Sequence, residues 1–150
     1  MLLDVFQKHL DDVSDALMTG NFEKYMSLVA NPMVVITEIA TTVITKEEQF
    51  RFGFDHYSGM LRTECATDLI RLASSVTEYG PNLITGRLET HILRSGQRLY
   101  GPFASAMTLV RKERRWLINS VVSPVHAEKW PINIQRDGDE IALDADIYTI

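Results

Sequence analysis

The sequence predicts an α+β fold in which helices cover one face of a single, mainly antiparallel sheet. Amphipathic helical patterns fill residues 2–62, and alternating strand patterns with turn signals then run from 66 to 122. Helices that precede a run of strands, instead of alternating with them, are typical of a layered α+β domain. The order of the patterns therefore predicts the fold class before any motif is considered.

The first two helices form a predicted hairpin. The first helix has a single apolar stripe at helical spacing, with acidic residues on its other side. This stripe consists of Leu3, Phe6, Leu10, Val13 and Leu17. Gly20 ends the first helix, and Asn21 can cap a shorter second one. The apolar side of the second helix comprises Phe22, Tyr25, Met26 and Val29.

Two short strands and a third helix follow. Residues 33–37 and 41–44 are rich in β-branched side chains, which favour strands. Thr45 and Glu48 have the spacing of a capping box that opens the third helix. The buried stripe of this helix is predicted to be Phe50, Phe54, Tyr57 and Leu61.

The later part of the chain contains a predicted long hairpin. Ser95-Gly96 has the residue types of a two-residue turn between strands 83–94 and 97–110. With that register, each strand divides into a mixed face and an apolar face. The mixed face carries Arg87, Glu89, His91, Tyr100, Ala104, Ala106 and Thr108. The apolar face carries Ile84, Leu88, Ile92, Leu99, Phe103, Met107 and Leu109.

Composition limits the class of protein. The chain has 150 residues, 45% of them hydrophobic, which suits one domain with a sizeable core. A net charge of −5 argues against a phosphate backbone as partner, so no nucleic acid is expected. No apolar run approaches the roughly 20 residues of a membrane helix, so no membrane is expected either. Cys65 is the only cysteine, and Met1 begins no leader pattern, so we expect a cytoplasmic protein.

No motif points to a metal or another cofactor. The four histidines are dispersed, without the His-x-x-x-His or Cys-x-x-Cys spacing of metal sites. A nucleophile elbow and a phosphate-binding loop are also absent from the sequence. We therefore expect no cofactor.

Residues 124–150 form an acidic extension. From His126 onward the chain has two basic and six acidic residues, which leaves −4 of the total −5 in this segment. Asp137-Gly138 has the residue types of a turn between 132–134 and 141–143, which predicts a small hairpin. We expect the extension to pack on the same domain or on its dimer partner.

Several segments resemble the NTF2-like (SnoaL-like) superfamily of cone-shaped α+β domains. Gly20-Asn21-Phe22-Glu23 is similar to the start of that family's second helix, and the strand at 33–37, the helix start at 45–50 and the closing strand at 115–118 are similar as well. The resemblance defines one domain at residues 1–123. It implies a curved sheet around the helices, an apolar cavity at the wide end of the cone and a homodimer formed through the sheet. It does not imply one chemistry, because the superfamily includes isomerases, dehydratases, cyclases, oxygenase subunits and non-catalytic transport factors.

The ketosteroid isomerases of this superfamily provide a mechanism for comparison. They place a tyrosine on the first helix, a carboxylate base after the second helix and a protonated aspartate on a late strand. The positions that match in this sequence are Val13, Thr37 and Thr108, so all three chemical groups are missing. Glu38 lies one residue from the base position. Steroid isomerisation by that mechanism is therefore disfavoured.

Two residues are candidates for catalysis. Glu38 would be a general base if it were buried, and His56 would be a proton carrier if it bordered the cavity. Both also have a structural interpretation, as a solvated strand end and a half-exposed helix histidine respectively.

Six further residues are candidates for ligand binding. Tyr25 and Tyr57 can hydrogen-bond a ligand from apolar walls, although tyrosines at this helical spacing also serve as core packing. If the mixed face of the hairpin lines the cavity, the remaining four join them, namely Arg87, His91, Tyr100 and Thr108. The alternative is that the mixed face is the outer one, because sheets direct their apolar side inward. Both alternatives stay open at the level of sequence.

Three functions fit these observations. The first is a pocket for a small apolar or amphipathic molecule, without catalysis. The second is a cofactor-free isomerase, dehydratase or cyclase, in which Glu38 or His56 moves a proton and Arg87, His91 or Tyr100 stabilises an oxyanion. The third is an interaction subunit whose acidic extension docks on a partner.

Overall fold

The computed structural model describes residues 2–124. Its helices are α1 (Leu2–Thr19), α2 (Phe22–Met26) and α3 (Glu47–Thr63). Its strands are β1 (Val29–Ile36), β2 (Thr41–Ile44), β3 (Asp68–Glu78), β4 (Leu83–Arg94), β5 (Gln97–Arg98), β6 (Phe103–Lys112) and β7 (Arg115–Val122). The predicted hairpin at 132–143, and nearly all of the acidic extension with it, lies outside the described residues.

The strands form one curved, mixed sheet. Its order is β2-β1-β7-β6-β4-β3, and β5 pairs with β4. All neighbouring strands are antiparallel except β1 and β7, which run parallel. The helices pack on one face of this sheet, so the predicted α+β class is confirmed.

The apolar face of the β4–β6 hairpin is the inner one. Ile84, Leu88 and Ile92 of β4 are buried, as are Met107 and Leu109 of β6. They meet the stripe of α1, in which Phe6, Leu10, Val13 and Leu17 are buried. Removal of apolar surface from water stabilises the fold by about 25 cal/mol per Å². The interpretation based on burial is therefore confirmed, and the mixed face lies outside.

The hairpin turn is correct, but its register changes beyond β5. Ser95 and Gly96 have φ values of 50° and 83°, as a primed two-residue turn requires. Leu93 pairs with Arg98 as predicted. Further along, Glu89 pairs with Ala104, a shift of two residues that leaves every β6 side chain on its predicted face. The extra residues lie between β5 and β6, where Tyr100 turns inward and is only 2% exposed.

Two predicted helix starts differ in outcome. Gly20 has a φ of 68° after α1, and the Asn21 Oδ1 accepts a hydrogen bond of 3.0 Å from the Lys24 amide, which confirms the cap. The capping box of α3 is instead made by Gln49, whose Oε1 accepts from the amides of Thr45 and Lys46 at 3.0 Å each. The predicted Thr45–Glu48 box is wrong by one position because α3 begins at Glu47.

The second helix is shorter than its apolar pattern suggested. It ends at Met26, and Val29 already belongs to β1, where it pairs with Ile118 of β7. Val29 is buried in the sheet, so its apolar side chain fits either assignment. Sheet pairing with the last strand decides between them.

The contact between Phe6 and Gly86 generates a first prediction. Gly86 is buried in β4, and a Cβ added there would overlap the ring of Phe6. Gly86→Ala should therefore lower the free energy of unfolding by about 1–3 kcal/mol, the usual cost of overpacking a core. Denaturation by urea measures this loss.

Gly59→Ala is the matched control for that experiment. Gly59 lies in α3, and nothing within 4 Å would meet its Cβ. In a helix the exchange should be neutral or stabilising by up to about 1 kcal/mol. Equal stability of the Gly86→Ala variant and the parent protein would contradict the packing described here.

His9 generates a second prediction, which concerns pH. Its Nε2 lies 2.9 Å from the carbonyl oxygen of Leu28 and links α1 to the start of β1. Burial lowers the pKa of His9 from its ordinary value of 6.5, although the Leu28 carbonyl and Asp12 act in the opposite direction. Above pH 6.5, His9 is mainly neutral in both the folded and the unfolded protein. Below it, the unfolded chain takes up the proton first, so the free energy of unfolding should fall as the pH falls.

The measurement is urea denaturation between about pH 5 and pH 8, where this linkage operates. His9→Gln keeps a donor for the Leu28 carbonyl but does not titrate, so its unfolding free energy should depend less on pH. The same slope in both proteins would show that His9 contributes no pH dependence.

Candidate functional site

A cavity of about 490 Å³ lies between α3 and the inner face of the sheet. A volume of this size is typical of sites for small organic ligands. Its walls come from α1, α2, α3 and six strands, and they are mainly apolar. The apolar lining consists of Val13, Leu17, Met33, Val35, Ile44, Phe50, Phe52, Phe54, Phe103, Met107, Ile118 and Val121.

The exposed lining residues mark where the cavity meets solvent. They are Thr42 in β2, and Glu48, Gln49 and Phe52 in the first half of α3. Phe52 is 54% exposed. The opposite, inner end is bordered by buried residues of β3, β4 and α1. The cavity therefore has an open, partly polar mouth and an enclosed inner end.

Arg71 and Thr90 are the most buried polar residues of the cavity. They are 7% and 1% exposed, and they pair directly across β3 and β4. The Arg71 Nη2 donates a hydrogen bond of 3.0 Å to the hydroxyl of Tyr57. The Arg71 Nε and the Thr90 Oγ1 have no hydrogen-bond partner within residues 2–124. The inner end thus holds a positive charge whose donors are not all used.

The alternation of β3 directs Arg71 into the cavity. Leu69 and Arg71 face inward, whereas Ile70 and Leu72 on either side are 38% and 50% exposed. The side chain of Gln7 on α1 holds this strand by donating to the Arg71 carbonyl at 2.6 Å and accepting from the Ala73 amide at 2.8 Å. These two bonds hold β3 in this orientation. With its two faces exchanged, the strand would bury Ile70 and Leu72 and expose Arg71.

Two tyrosines complete the inner end. Tyr57 on α3 lies below the Arg71 guanidinium, with 5.3 Å between the Arg71 Cζ and its ring centroid. The ring of Tyr25 packs on Phe54, with centroids 5.0 Å apart. Burial raises the pKa of Tyr25 to about 12, against a smaller opposite effect of the Arg71 charge. The Tyr25 phenol is therefore a neutral hydrogen-bond donor at physiological pH.

His56 lies on the cavity side of α3. Its ring stacks on that of Phe52, with centroids 6.1 Å apart and planes inclined by 28°. Four residues make about one helical turn, so His56 lies one turn further along α3 than Phe52 at the mouth. His56 is thus the histidine that borders the cavity in the described chain.

The structure brings together three of the eight predicted site residues. His56, Tyr25 and Tyr57 all line the cavity, on α3 and α2. Glu38 does not, because it lies exposed in the turn between β1 and β2. Its predicted place at the cavity is corrected, since a strand end that projects past the sheet leaves its side chain in solvent.

The other four predicted residues also lie away from the cavity. Arg87 is exposed on the outer face, and His91 on the same face lies 2.8 Å from the Glu89 carboxylate. The Thr108 hydroxyl is 3.2 Å from that of Thr85. Tyr100 is in the core. The cavity-facing placement of all four is corrected. Burial of the apolar face turns Arg87, His91 and Thr108 outward, whereas the extra residues between β5 and β6 turn Tyr100 into the core.

The three positions that match the ketosteroid isomerase groups lie on opposite sides of the sheet. Val13 and Thr37 line the cavity, and Thr108 lies on the outer face. Neither cavity residue can ionise. At these positions the protein therefore lacks the ionisable groups of a ketosteroid isomerase.

Sequence reasoning missed Arg71. The segment Leu69-Ile70-Arg71-Leu72-Ala73 has apolar residues at nearly every position, so its periodicity does not reveal which side is buried. The available signal was a lone arginine within such an apolar segment.

Within 2–124, no group of three or more His, Cys, Asp and Glu side chains could hold a metal ion. None of the helices in this part of the chain is long and apolar enough to cross a membrane.

No protein-family model and no curated protein matches the sequence. Solved structures do match. An NTF-2 like protein of unknown function from Shewanella oneidensis is 12% identical, with a TM-score of 0.58 over 82% of this chain and 98% of that one. A protein of unknown function with a cystatin-like fold from Nostoc punctiforme is 14% identical, with a TM-score of 0.59 over 93% and 95%.

A third match is a protein from Shewanella frigidimarina that is proposed to be a ketosteroid isomerase. It is 14% identical, with a TM-score of 0.58 over 77% of this chain and 90% of that one. Identities this low establish a shared fold and leave chemistry undetermined. Together with the sheet order and the helix-covered inner face, these matches show that the protein has the NTF2-like α+β fold.

Proposed function

We propose that this protein binds a small organic molecule in the cavity between α3 and the sheet. The observation that carries the proposal is a cavity of about 490 Å³ with apolar walls and a few polar groups gathered at one end. This combination is the usual composition of a small-molecule site, where apolar contact provides affinity and the polar groups orient the ligand.

The packing of the rest of the molecule supports this proposal. Protein interiors are normally filled to the density of organic crystals, and a void of this size forfeits contacts along its whole lining. Phe50, Phe54 and Ile118 are almost fully buried and yet line the cavity. Occupation by an apolar molecule would restore the missing contacts of such side chains.

Binding in the cavity predicts the effect of one substitution. Gly53 of α3 lines the cavity, and nothing within 4 Å would meet a Cβ added there. Gly53→Leu should therefore occupy part of the space without disturbing the helix. The affinity for the neutral fluorescent probe N-phenyl-1-naphthylamine should fall about tenfold, within the range for a misfit of a few methylene groups in an apolar pocket.

The control is Gly59→Leu. This glycine lies in the same helix with equally open surroundings, but it does not line the cavity. Fluorescence titration should give an unchanged dissociation constant for this variant. If the parent protein does not bind the probe, or if both variants bind it as the parent does, the proposed site is wrong.

A second candidate function is catalysis of proton transfer without a cofactor, as in an isomerase, dehydratase or cyclase. His56 borders the same cavity as Tyr57 and Arg71, which favours this candidate. A histidine can accept a proton from a carbon next to a carbonyl group, while hydrogen-bond donors stabilise the enolate oxygen. With Glu38 in solvent, this function would depend on His56 alone as acid or base.

Exchange of the α-protons of 2-tetralone with deuterium tests this second candidate. The protein should accelerate the exchange, measured by NMR, and His56→Asn should lose about 100-fold or more of that acceleration, the typical contribution of general acid–base catalysis. His91→Asn on the outer face is the control and should retain the full rate. A His56→Asn variant as active as the parent would exclude the proposed base.

The quaternary state and location belong to the same proposal. The resemblance to NTF2-like domains supports a homodimer formed through the sheet, whose outer face carries the mixed strand residues. The single exposed Cys65 suits a reducing compartment such as the cytoplasm. Native mass spectrometry decides the first point, since a monomeric mass in dilute solution would reject the dimer.

A further inference from the structure

We propose that the ligand of the cavity is an organic carboxylate, whose anionic group pairs with Arg71 at the inner end while its apolar body extends toward the mouth. This inference rests on the proposed function, because it names the chemical class that the same cavity accepts. It goes beyond that function in assigning a charge and an orientation to the ligand.

The first argument is the missing counter-charge of Arg71. The guanidinium is 7% exposed, and its hydrogen-bond partner in the described chain is the neutral hydroxyl of Tyr57. The charged pairs Lys8–Asp12, Lys24–Asp15 and His91–Glu89, all within residues 2–124, lie elsewhere on side chains that are at least partly exposed. Buried charges in proteins are normally paired, since an isolated one loses its hydration without compensation. An anion bound in the cavity would supply the absent partner.

The second argument is the geometry of the free donors. One Nη2 proton of Arg71 is used by Tyr57, and the Nε–H has no acceptor in the described part of the chain. A guanidinium presents its N–H groups as a planar fork, which matches the two oxygens of a carboxylate. The remaining donors of Arg71 therefore suit a planar anion better than a single neutral acceptor.

The third argument comes from the groups beside Arg71. The Thr90 hydroxyl is unpartnered and 1% exposed, directly across the strand pair from Arg71. The Tyr25 phenol stays protonated, so it too can donate to an oxygen anion. A positively charged ligand group would be repelled from this end.

The fourth argument limits the charge of the ligand. Among the described residues that line the cavity, Arg71 is the one lysine or arginine, and Glu48 at the exposed mouth is negative. A phosphate group with two negative charges would lack compensation here, whereas one carboxylate is matched. The apolar walls between the two ends then select a ligand with an apolar body.

Two probes that differ in charge test the inference. The carboxylate 2-naphthoate and its neutral analogue 2-naphthamide have nearly the same shape, and each can be titrated against bound N-phenyl-1-naphthylamine at neutral pH. The parent protein should bind 2-naphthoate about tenfold or more tightly than 2-naphthamide, the lower range for a hydrogen bond between charged groups. This comparison requires no variant.

Arg71→Met then tests the assigned partner. Methionine keeps an unbranched apolar stem, though a shorter one, and carries no charge, so the exchange should abolish the preference between the two probes and leave the affinity for 2-naphthamide within about twofold. Circular dichroism and thermal unfolding verify that the variant is folded, and Arg71→Lys provides a second variant that keeps a charge without the fork. Arg87→Met on the outer face is the matched control and should retain the full preference.

The outcomes separate this inference from the proposed function. If both naphthalene probes displace N-phenyl-1-naphthylamine equally from the parent protein, the cavity binds ligands but the carboxylate assignment is wrong. If the preference survives in Arg71→Met and disappears in Arg87→Met, the anion binds on the outer face and the assignment is also wrong. If no probe binds, the proposed function itself fails.

Discussion

The position of α1 on the sheet is the constraint on which the rest of the structure depends. Phe6 packs over Gly86, where no side chain could be accommodated, and Gln7 holds the backbone of β3 through two hydrogen bonds. These contacts bring α1 close to β3 and β4. The inner face of β1, β6 and β7 is then left for α3, which spans it at a greater distance. The cavity is the space that remains between α3 and these strands.

The same contacts place an arginine where packing alone would not. In β3 the inward alternation buries Arg71 and exposes Ile70 and Leu72, although the opposite arrangement would remove more apolar surface from water. Residues whose placement conflicts with the local hydrophobic pattern occur mainly at functional sites, where function is favoured at the expense of stability. Arg71 is therefore more informative about function than the apolar walls that surround it.

The fold was largely predictable from the sequence, but the site was only partly so. Helices and strands depend on local periodicity and on turn residues such as Gly20 and Ser95-Gly96, which act through their own backbone angles. Tyr25 and Tyr57 were found because helical spacing places them on the apolar sides of their helices, and His56 was found because histidine is a natural proton carrier near neutral pH. Arg71 was missed and Arg87 was preferred, because a strand's two faces look alike until the partner layer is known.

The sequence by itself determined the class of fold, the order of its elements and the division of each hairpin strand into two faces, since these follow from short-range patterns of side chains. Only the tertiary structure decided which face covers the cavity, because that depends on where α1 and α3 pack. The two-residue shift that buries Tyr100 and the buried position of Arg71 are of the same kind. Both result from contacts between segments that are far apart in the chain. A local sequence pattern gives no information on the energies of such contacts.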